Sequence, residues 1–263
     1  MESEKKKHSG ITIVIGTKAE LIKCMPVMLE LQEQKKDYWF IHTGQHSLKG
    51  ACEEFGIKKP DFVLSEAPKK SSKFLSQITL KTFLWNFRTM FRIRRIVNRL
   101  IPKYVLYDGD TMNTAMAVGA SSWVLNPLKK WETIHLESGL RSGSLSEPFP
   151  EEFVRRVVQR FSDILLTVSD FSEKNLKKRL ILGKIIKVGN TIVDAAPIAL
   201  QMGKKKYQKD KMKYALINIH RHENLKDEKR LRKIVEIIRN VKINALWPLH
   251  DNTRHFLVKY GLM

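Results

Sequence analysis

The sequence predicts the α/β class, a doubly wound parallel sheet covered by helices, on three observations. Short β-branched runs alternate with longer stretches of helical period, the runs are apolar on both faces, and the stretches between them carry mixed faces. Strands are expected at Ile11 to Ile15, Tyr38 to His42, Tyr104 to Tyr107, Thr133 to Leu136, Ile164 to Val168 and Ile185 to Val188. Leu21 to Glu33 and Phe153 to Phe161 read as covering helices.

Composition changes at 199–213, where Ala-Leu-Gln-Met-Gly gives way to Lys204, Lys205, Lys206, Lys209, Lys211 and Lys213. This reads as a linker that divides the chain into a first domain, 1–198, and a second, 214–263. The second contains a strand at Tyr214 to Ile219, a helix at Asp227 to Asn240 and a strand near Ala245 to Leu249. About fifty residues fall short of the roughly 100 that an α/β domain needs, so this domain is expected to be incomplete.

Leu84 to Ile101 predicts a basic amphipathic helix. Leu84, Phe87, Phe91, Ile96, Val97 and Leu100 recur at helical spacing, with Arg88, Arg92, Arg95 and Arg99 filling much of the rest. The expectation is a sheet-covering helix with a solvated charged face; contact with a membrane surface or nucleic acid is the alternative. Aromatic-rich RNA-binding signatures are absent, and no nucleic-acid partner is expected.

The 263 residues are 43% apolar, far too hydrophobic for a disordered chain. Forty-eight Lys and Arg against 27 Asp and Glu give a net charge of +21, which favours anionic partners without choosing among them. Cys24 and Cys52 are the only cysteines and form no CxxC, which argues against a disulfide framework or structural zinc and fits a reducing cytosol. Met1 to Gly10 lacks the apolar stretch of a secretory signal, and the longest apolar run, Ala115 to Leu125, is broken by Gly119, Ser121 and Ser122, so no membrane span is expected.

Several residues have chemistry suited to a site. Gly16-Thr17-Lys18-Ala19-Glu20 joins the first strand to a helix, where backbone N–H groups, a helix N-terminus and a lysine could receive an anion. Neither GxGxxG nor GxxxxGK[ST] is present, which excludes the usual nicotinamide and P-loop fingerprints. Asp108-Gly109-Asp110-Thr111 and Glu137 each follow a strand and so reach the carboxyl edge of the sheet, where open α/β sheets bind ligands. Glu151-Glu152 follow Pro148-Phe149-Pro150 in the first turn of a helix, where matching the helix dipole is the simpler explanation. Asp108-x-Asp110 also fits a divalent-metal pair. His220-Arg221-His222-Glu223 and His250-Asp251-Asn252 follow the two second-domain strands; no third metal ligand has suitable spacing, and phosphate hydrogen bonding or proton donation suits these histidines better.

Taken in order, GTKAELIK, TGQH at 43–46, GDT at 109–111, HLESGLRSG at 135–143, PFPEE at 148–152, VGNTIVDA at 188–195 and HRHEN at 220–224 resemble the non-hydrolysing UDP-N-acetylglucosamine 2-epimerase family. The resemblance runs from Ile11 to His250. It implies two Rossmann-like doubly wound domains facing a cleft, as in the glycosyltransferase-B architecture. It also implies interconversion of UDP-N-acetylglucosamine and UDP-N-acetylmannosamine by elimination and re-addition of UDP through 2-acetamidoglucal, with no cofactor and no metal.

By the same resemblance, Asp110, Glu137 and Glu151 match the family's three acids, and His220 matches the histidine beside the leaving diphosphate. Lys18, Arg155 and His250 match substrate-binding positions, and Gln45, His46, Arg221 and Glu223 match positions of an effector site for a second UDP-N-acetylglucosamine. Two bases on opposite ring faces are the minimum for inversion through an unsaturated intermediate. A cytoplasmic homodimer serving polysaccharide synthesis is implied. A UDP-sugar binder without turnover and a hydrolysing relative that releases N-acetylmannosamine are the other readings.

Three departures from the family pattern stand out. GTKAELIK replaces GTRPEAIK, so Lys18 keeps the charge but loses the guanidinium fork. Leu48 replaces a glutamine that contacts the effector, and the family's Asp-Ser-Gly-Gly and Glu-Glu segment is not among these 263 residues.

Overall fold

The computed structural model describes residues 10–48, 50–64, 80–143, 151–179, 181–206, 213–220 and 222–263. Pro148 to Pro150, Arg221 and the lysines at 209 and 211 lie outside the described residues. The chain divides into two compact units, Met1–Gly203 and Lys204–Met263.

The first unit runs β1 (Ile11–Ile15), α1 (Lys18–Glu33), β2 (Tyr38–His42), α2 (Ala51–Glu54), β3 (Phe62–Val63), α3 (Leu80–Leu100), β4 (Tyr104–Asp108), α4 (Met112–Ser121), β5 (Glu132–Ser138), α5 (Glu151–Arg160), β6 (Ile164–Thr167), α6 (Asp170–Lys177), β7 (Lys184–Lys187) and α7 (Thr191–Lys206). All seven strands are parallel, in the order β3-β2-β1-β4-β5-β6-β7. Successive side chains of a strand point to opposite faces, so Ile13 and Ile15 pack beneath Leu21, Met25 and Met28 of α1, while Val14 joins Ile93 and Val97 of α3 and Val154 and Val158 of α5. Helices on both faces explain why these strands read as continuous apolar runs.

The order of strands reverses between β1 and β4. In an open α/β sheet the loops leaving such a pair diverge to opposite faces and open a crevice at the carboxyl edge, where ligands bind. The loops at this point are Gly16-Thr17 and Gly109-Asp110-Thr111.

Two sequence expectations are corrected. Leu84, Phe87 and Phe91 do not cover the sheet: they are 43%, 50% and 43% exposed and share the outer face of α3 with Arg88, Arg92, Arg95 and Arg99. Thr89 and Ile93 are buried together with Val97 of the expected stripe, because packing against α4 and the sheet turns the helix away from its aromatic residues. Residues 199–206, expected as the start of a linker, are the last turns of α7, since Ala, Leu, Gln, Met and Lys are all strong helix formers.

The second unit comprises β8 (Tyr214–Leu216), α8 (His222–Lys226), α9 (Glu228–Arg239), β9 (Asn244–Leu246) and α10 (Asp251–Lys259). Its two strands pair in parallel, and Leu225, Leu231, Val235 and Leu257 form its core. Both strands are shorter than the apolar runs that announced them: Ile219 and Leu249 lie beyond the strand ends and pack on the helices.

Candidate active site at the carboxyl edge of the sheet

Capping chemistry fixes the loop after β1. Thr17 caps α1 and accepts from the Glu20 N–H at 3.2 Å, while the Glu20 carboxylate accepts from the Gly16 and Thr17 N–H groups at 2.6 and 3.1 Å. These two donors, which the sequence offers to an anion, are therefore already occupied by Glu20. The other Glu20 oxygen accepts from the Thr111 hydroxyl, tying this loop to the one after β4. Burial raises the Glu20 pKa against the opposing pull of these bonds and of Lys23. Gly16 permits the close approach of Asn113, since a Cβ there would lie 1.9 Å from Asn113 Nδ2. Asn113 accepts from the Thr43 hydroxyl at 2.5 Å and donates to Gln45, which fixes the loop after β2 as well.

The acids leave adjacent strands. Asp110 follows β4 and is half-buried; Arg155 of α5 pairs with it through Nη2. Through Nη1, Arg155 also reaches Glu152 at 3.2 Å. Glu152 is fully buried and accepts from Arg156 Nε at 3.0 Å and the Ser142 N–H at 3.3 Å. Burial alone would raise the Glu152 pKa, but the Ser142 N–H and three arginines outweigh it and hold the carboxyl low. Glu151, half-buried one turn before Arg155 on the same helix, keeps one buried carboxylate oxygen without a hydrogen-bond partner.

Glu137 lies in β5, where the pairing with β6 shifts register between His135 and Ser138, and its own φ is +55°. Lys23 of α1 pairs with Glu137 and lies 3.8 Å from Asp108. Burial pulls the Lys23 ammonium down, but Asp108, Glu137 and Asp110 prevail and raise its pKa. Asp108 is almost completely buried. Burial, reinforced by Glu137, Glu20 and Asp110 and only partly offset by Lys23, pushes its carboxyl up to about 8. Asp108 and Asp110 thus face different cations, Lys23 and Arg155. Among the described residues no cluster of three His, Cys, Asp or Glu is arranged to hold a metal ion.

The other sequence-predicted residues are placed as follows. Lys18 is exposed in the first turn of α1, and Gln45 and His46 lie in the loop after β2, with the His46 N–H donating to the Gly16 carbonyl at 2.9 Å. In the second unit, His220 and His250 follow β8 and β9 with their rings stacked 6.0 Å apart. His220 Nδ1 lies 3.0 Å from Asn218 Oδ1, and Glu223 is in the first turn of α8.

The sequence profile of the UDP-N-acetylglucosamine 2-epimerase family matches residues 29–261. This chain belongs to that family. A UDP-N-acetylglucosamine 2-epimerase of Methanococcus maripaludis is 31% identical over 96% of the chain, which spans 68% of that relative. A UDP-2,3-diacetamido-2,3-dideoxy-D-glucuronate 2-epimerase of Pseudomonas aeruginosa is 29% identical, with 96% and 70% covered. The crystal structure of Methanocaldococcus jannaschii UDP-GlcNAc 2-epimerase in complex with UDP-GlcNAc and UDP superposes with a TM-score of 0.73 at 26% identity, covering 96% of this chain and 69% of that one. The fold is thus shared across nearly all of this chain and about two thirds of its relatives.

In this epimerase-family chain the structure adds Lys23 to the candidate site and gives Asp108 and Glu152, both already singled out in the sequence, their buried places and cationic partners. Lys23 had a sequence signal, a lone cation between Leu21, Ile22, Cys24 and Met25 on a helix otherwise packed against the sheet. Asp108 and Glu152 each neighbour a predicted acid, and sequence spacing alone gives no measure of burial.

Proposed function

We propose that this chain interconverts UDP-N-acetylglucosamine and UDP-N-acetylmannosamine. The observation that carries the proposal is that Asp110 and Glu137 leave neighbouring strands at one edge of the sheet, each with its own cation. In the elimination the C1–O bond breaks, its electron pair leaves with UDP, and the C2 proton passes to a carboxylate as C1=C2 forms. Re-addition of UDP at C1, with a proton delivered to the other face of C2, gives the epimer. As the diphosphate departs, the ring gains positive charge, which buried carboxylates stabilise more strongly than water would.

Asp110, Glu137 and Glu151 are the acids of this reading. Arg155 and Lys23 hold Asp110 and Glu137 in position; the family resemblance assigns His220 to the leaving diphosphate and Lys18 and His250 to substrate binding. Gln45, His46, Arg221 and Glu223 belong to the effector site of the same reading. A homodimer and a cytoplasmic setting follow from the family resemblance; no helix among the described residues is long and apolar enough to cross a membrane.

Incubation with UDP-N-acetylglucosamine in heavy water tests the proposal. Deuterium is expected at C2 of both epimers and is expected to disappear in Asp110→Asn and Glu137→Gln. Unlabelled substrate after prolonged incubation with the folded protein overturns the assignment, and release of free N-acetylmannosamine with UDP identifies the hydrolysing reaction instead.

A further inference from the structure

His135 is completely buried, makes two ring hydrogen bonds, and plays no part in the reaction just described. Its Nε2 lies 2.7 Å from the Gly109 carbonyl oxygen and its Nδ1 lies 2.7 Å from Ser138 Oγ. A carbonyl oxygen can only accept, so Nε2 carries a proton, and in the neutral ring that burial favours Nδ1 accepts from the Ser138 hydroxyl. The ring is thus a neutral imidazole of defined tautomer with both nitrogens used.

What these bonds hold is specific. Gly109 precedes Asp110 and has a φ of +73°; Ser138 follows Glu137, whose φ of +55° is rare for a side chain of its size. The one Ser138 hydroxyl proton is shared between Nδ1 and the His135 carbonyl oxygen, 3.0 Å from Oγ, so the irregular stretch from His135 to Ser138 closes on itself around Glu137. A non-glycine residue with positive φ persists only where its surroundings over-determine it. Tyr107, its ring 5.6 Å from the imidazole, and buried Leu136 complete the packing.

We infer that His135 is a positioning residue that braces both acid-bearing turns at once, through the carbonyl next to Asp110 and the hydroxyl next to Glu137, and so sets the separation of the two carboxylates. The inference deepens the proposed function and rests on it for the roles of the two acids. Burial pulls the ring pKa to about 4, and the nearby Arg141, Lys23 and Arg155 charges push the same way, so the ring keeps its neutral form throughout the neutral pH range.

The test compares His135→Phe, which keeps a ring and removes both bonds, with His135→Gln, whose amide N–H2 can replace Nε2–H on the Gly109 carbonyl, and with Ser138→Ala. Deuterium exchange at C2 of UDP-N-acetylglucosamine is expected to slow in kcat by about 10- to 100-fold in His135→Phe, the scale of a misplaced catalytic group, with KM changed less than about twofold. His135→Gln is expected to recover part of that loss. Carboxyl 13C titrations of Asp110 and Glu137 should shift in His135→Phe while Asp61, on the loop before β3, stays fixed.

A folded His135→Phe protein with unchanged kcat and unchanged Asp110 and Glu137 titrations overturns the brace, and so does a change confined to KM. If His135→Phe fails to fold, Ser138→Ala and His135→Gln give the same readouts. The titrations need no turnover, so an unreactive wild-type protein would count against the proposed reaction while the 13C shifts still decide the role of His135.

Discussion

Arg155 spans two carboxylates, reaching Asp110 through Nη2 and the fully buried Glu152 through Nη1 at 3.2 Å. The guanidinium is a rigid fork, so fixing one tine on Glu152 fixes the direction of the other. Glu152, itself locked by Arg156 and the Ser142 N–H, is thus the anchor through which α5 orients a side chain of the loop after β4.

Arg155→Lys keeps the charge but cannot serve both carboxylates at fixed geometry. A charge-assisted hydrogen bond is worth about 1.5–3 kcal/mol, so kcat/KM for C2 exchange is expected to fall by roughly 10- to 100-fold. Steady-state exchange kinetics check this; an Arg155→Lys protein as active as the wild type contradicts the two-tine arrangement.

Asp108 makes stability depend on pH in a defined direction. Its folded pKa of about 8 stands above the ordinary 3.8, so between these values the folded state binds more protons than the unfolded state. Stability contributed by this group is full below pH 3.8 and is lost as pH rises through 8. Asp108→Asn is expected to flatten the denaturation midpoint over this window, with its largest relative gain on the alkaline side. Urea melts of both proteins across the window decide it.

His135 acts in the opposite direction. Its folded pKa of about 4 lies below the ordinary 6.5, so the unfolded state binds more protons between them, and stability falls as pH drops from 6.5 through 4. His135→Gln is expected to lose this acid-side slope in the same urea melts.

Gly16→Ala would place a methyl group 1.9 Å from Asn113 Nδ2. Overpacking of this kind costs about 1–3 kcal/mol. Adding Asn113→Ala should recover part of it, and the shortfall from additivity in a double-mutant cycle measures the contact.

The orientation of α3 gives a contrast between neighbours on one helix. Phe87→Ser on the exposed face should change stability by no more than about 0.5 kcal/mol, whereas Ile93→Ala, at a buried position, should cost about 2–5 kcal/mol. Equilibrium denaturation of the two proteins checks which side of the helix faces the sheet.

Much of the first unit was legible in the chain itself. β1 and β2 span the apolar runs that announce them, because a strand buried on both faces must be apolar throughout, and a run of that kind has ends visible in sequence. α1 begins three residues earlier than its apolar period suggests, since its start is set by the Thr17 and Glu20 capping box and not by hydrophobicity. β3 escaped notice because two residues, Phe62 and Val63, carry no periodicity. Of the apolar stripe expected on α3, Val97 is buried and Ile96 and Leu100 half-buried while Leu84, Phe87 and Phe91 face outward, because both faces of the helix hold apolar residues and only contact with α4 chooses between them.

By itself the sequence determined the α/β class, the family, and the edge of the sheet at which Asp110 and Glu137 emerge, all of which follow from local pattern and from motifs in order. Only the tertiary structure decided how far each carboxylate is buried and which cation it meets. Lys23, Asp108 and Glu137 lie far apart in the chain, and so do Asp110 and Arg155. Burial and Coulomb energy depend on distances in space, and those are fixed only once β1, β4 and β5 lie side by side.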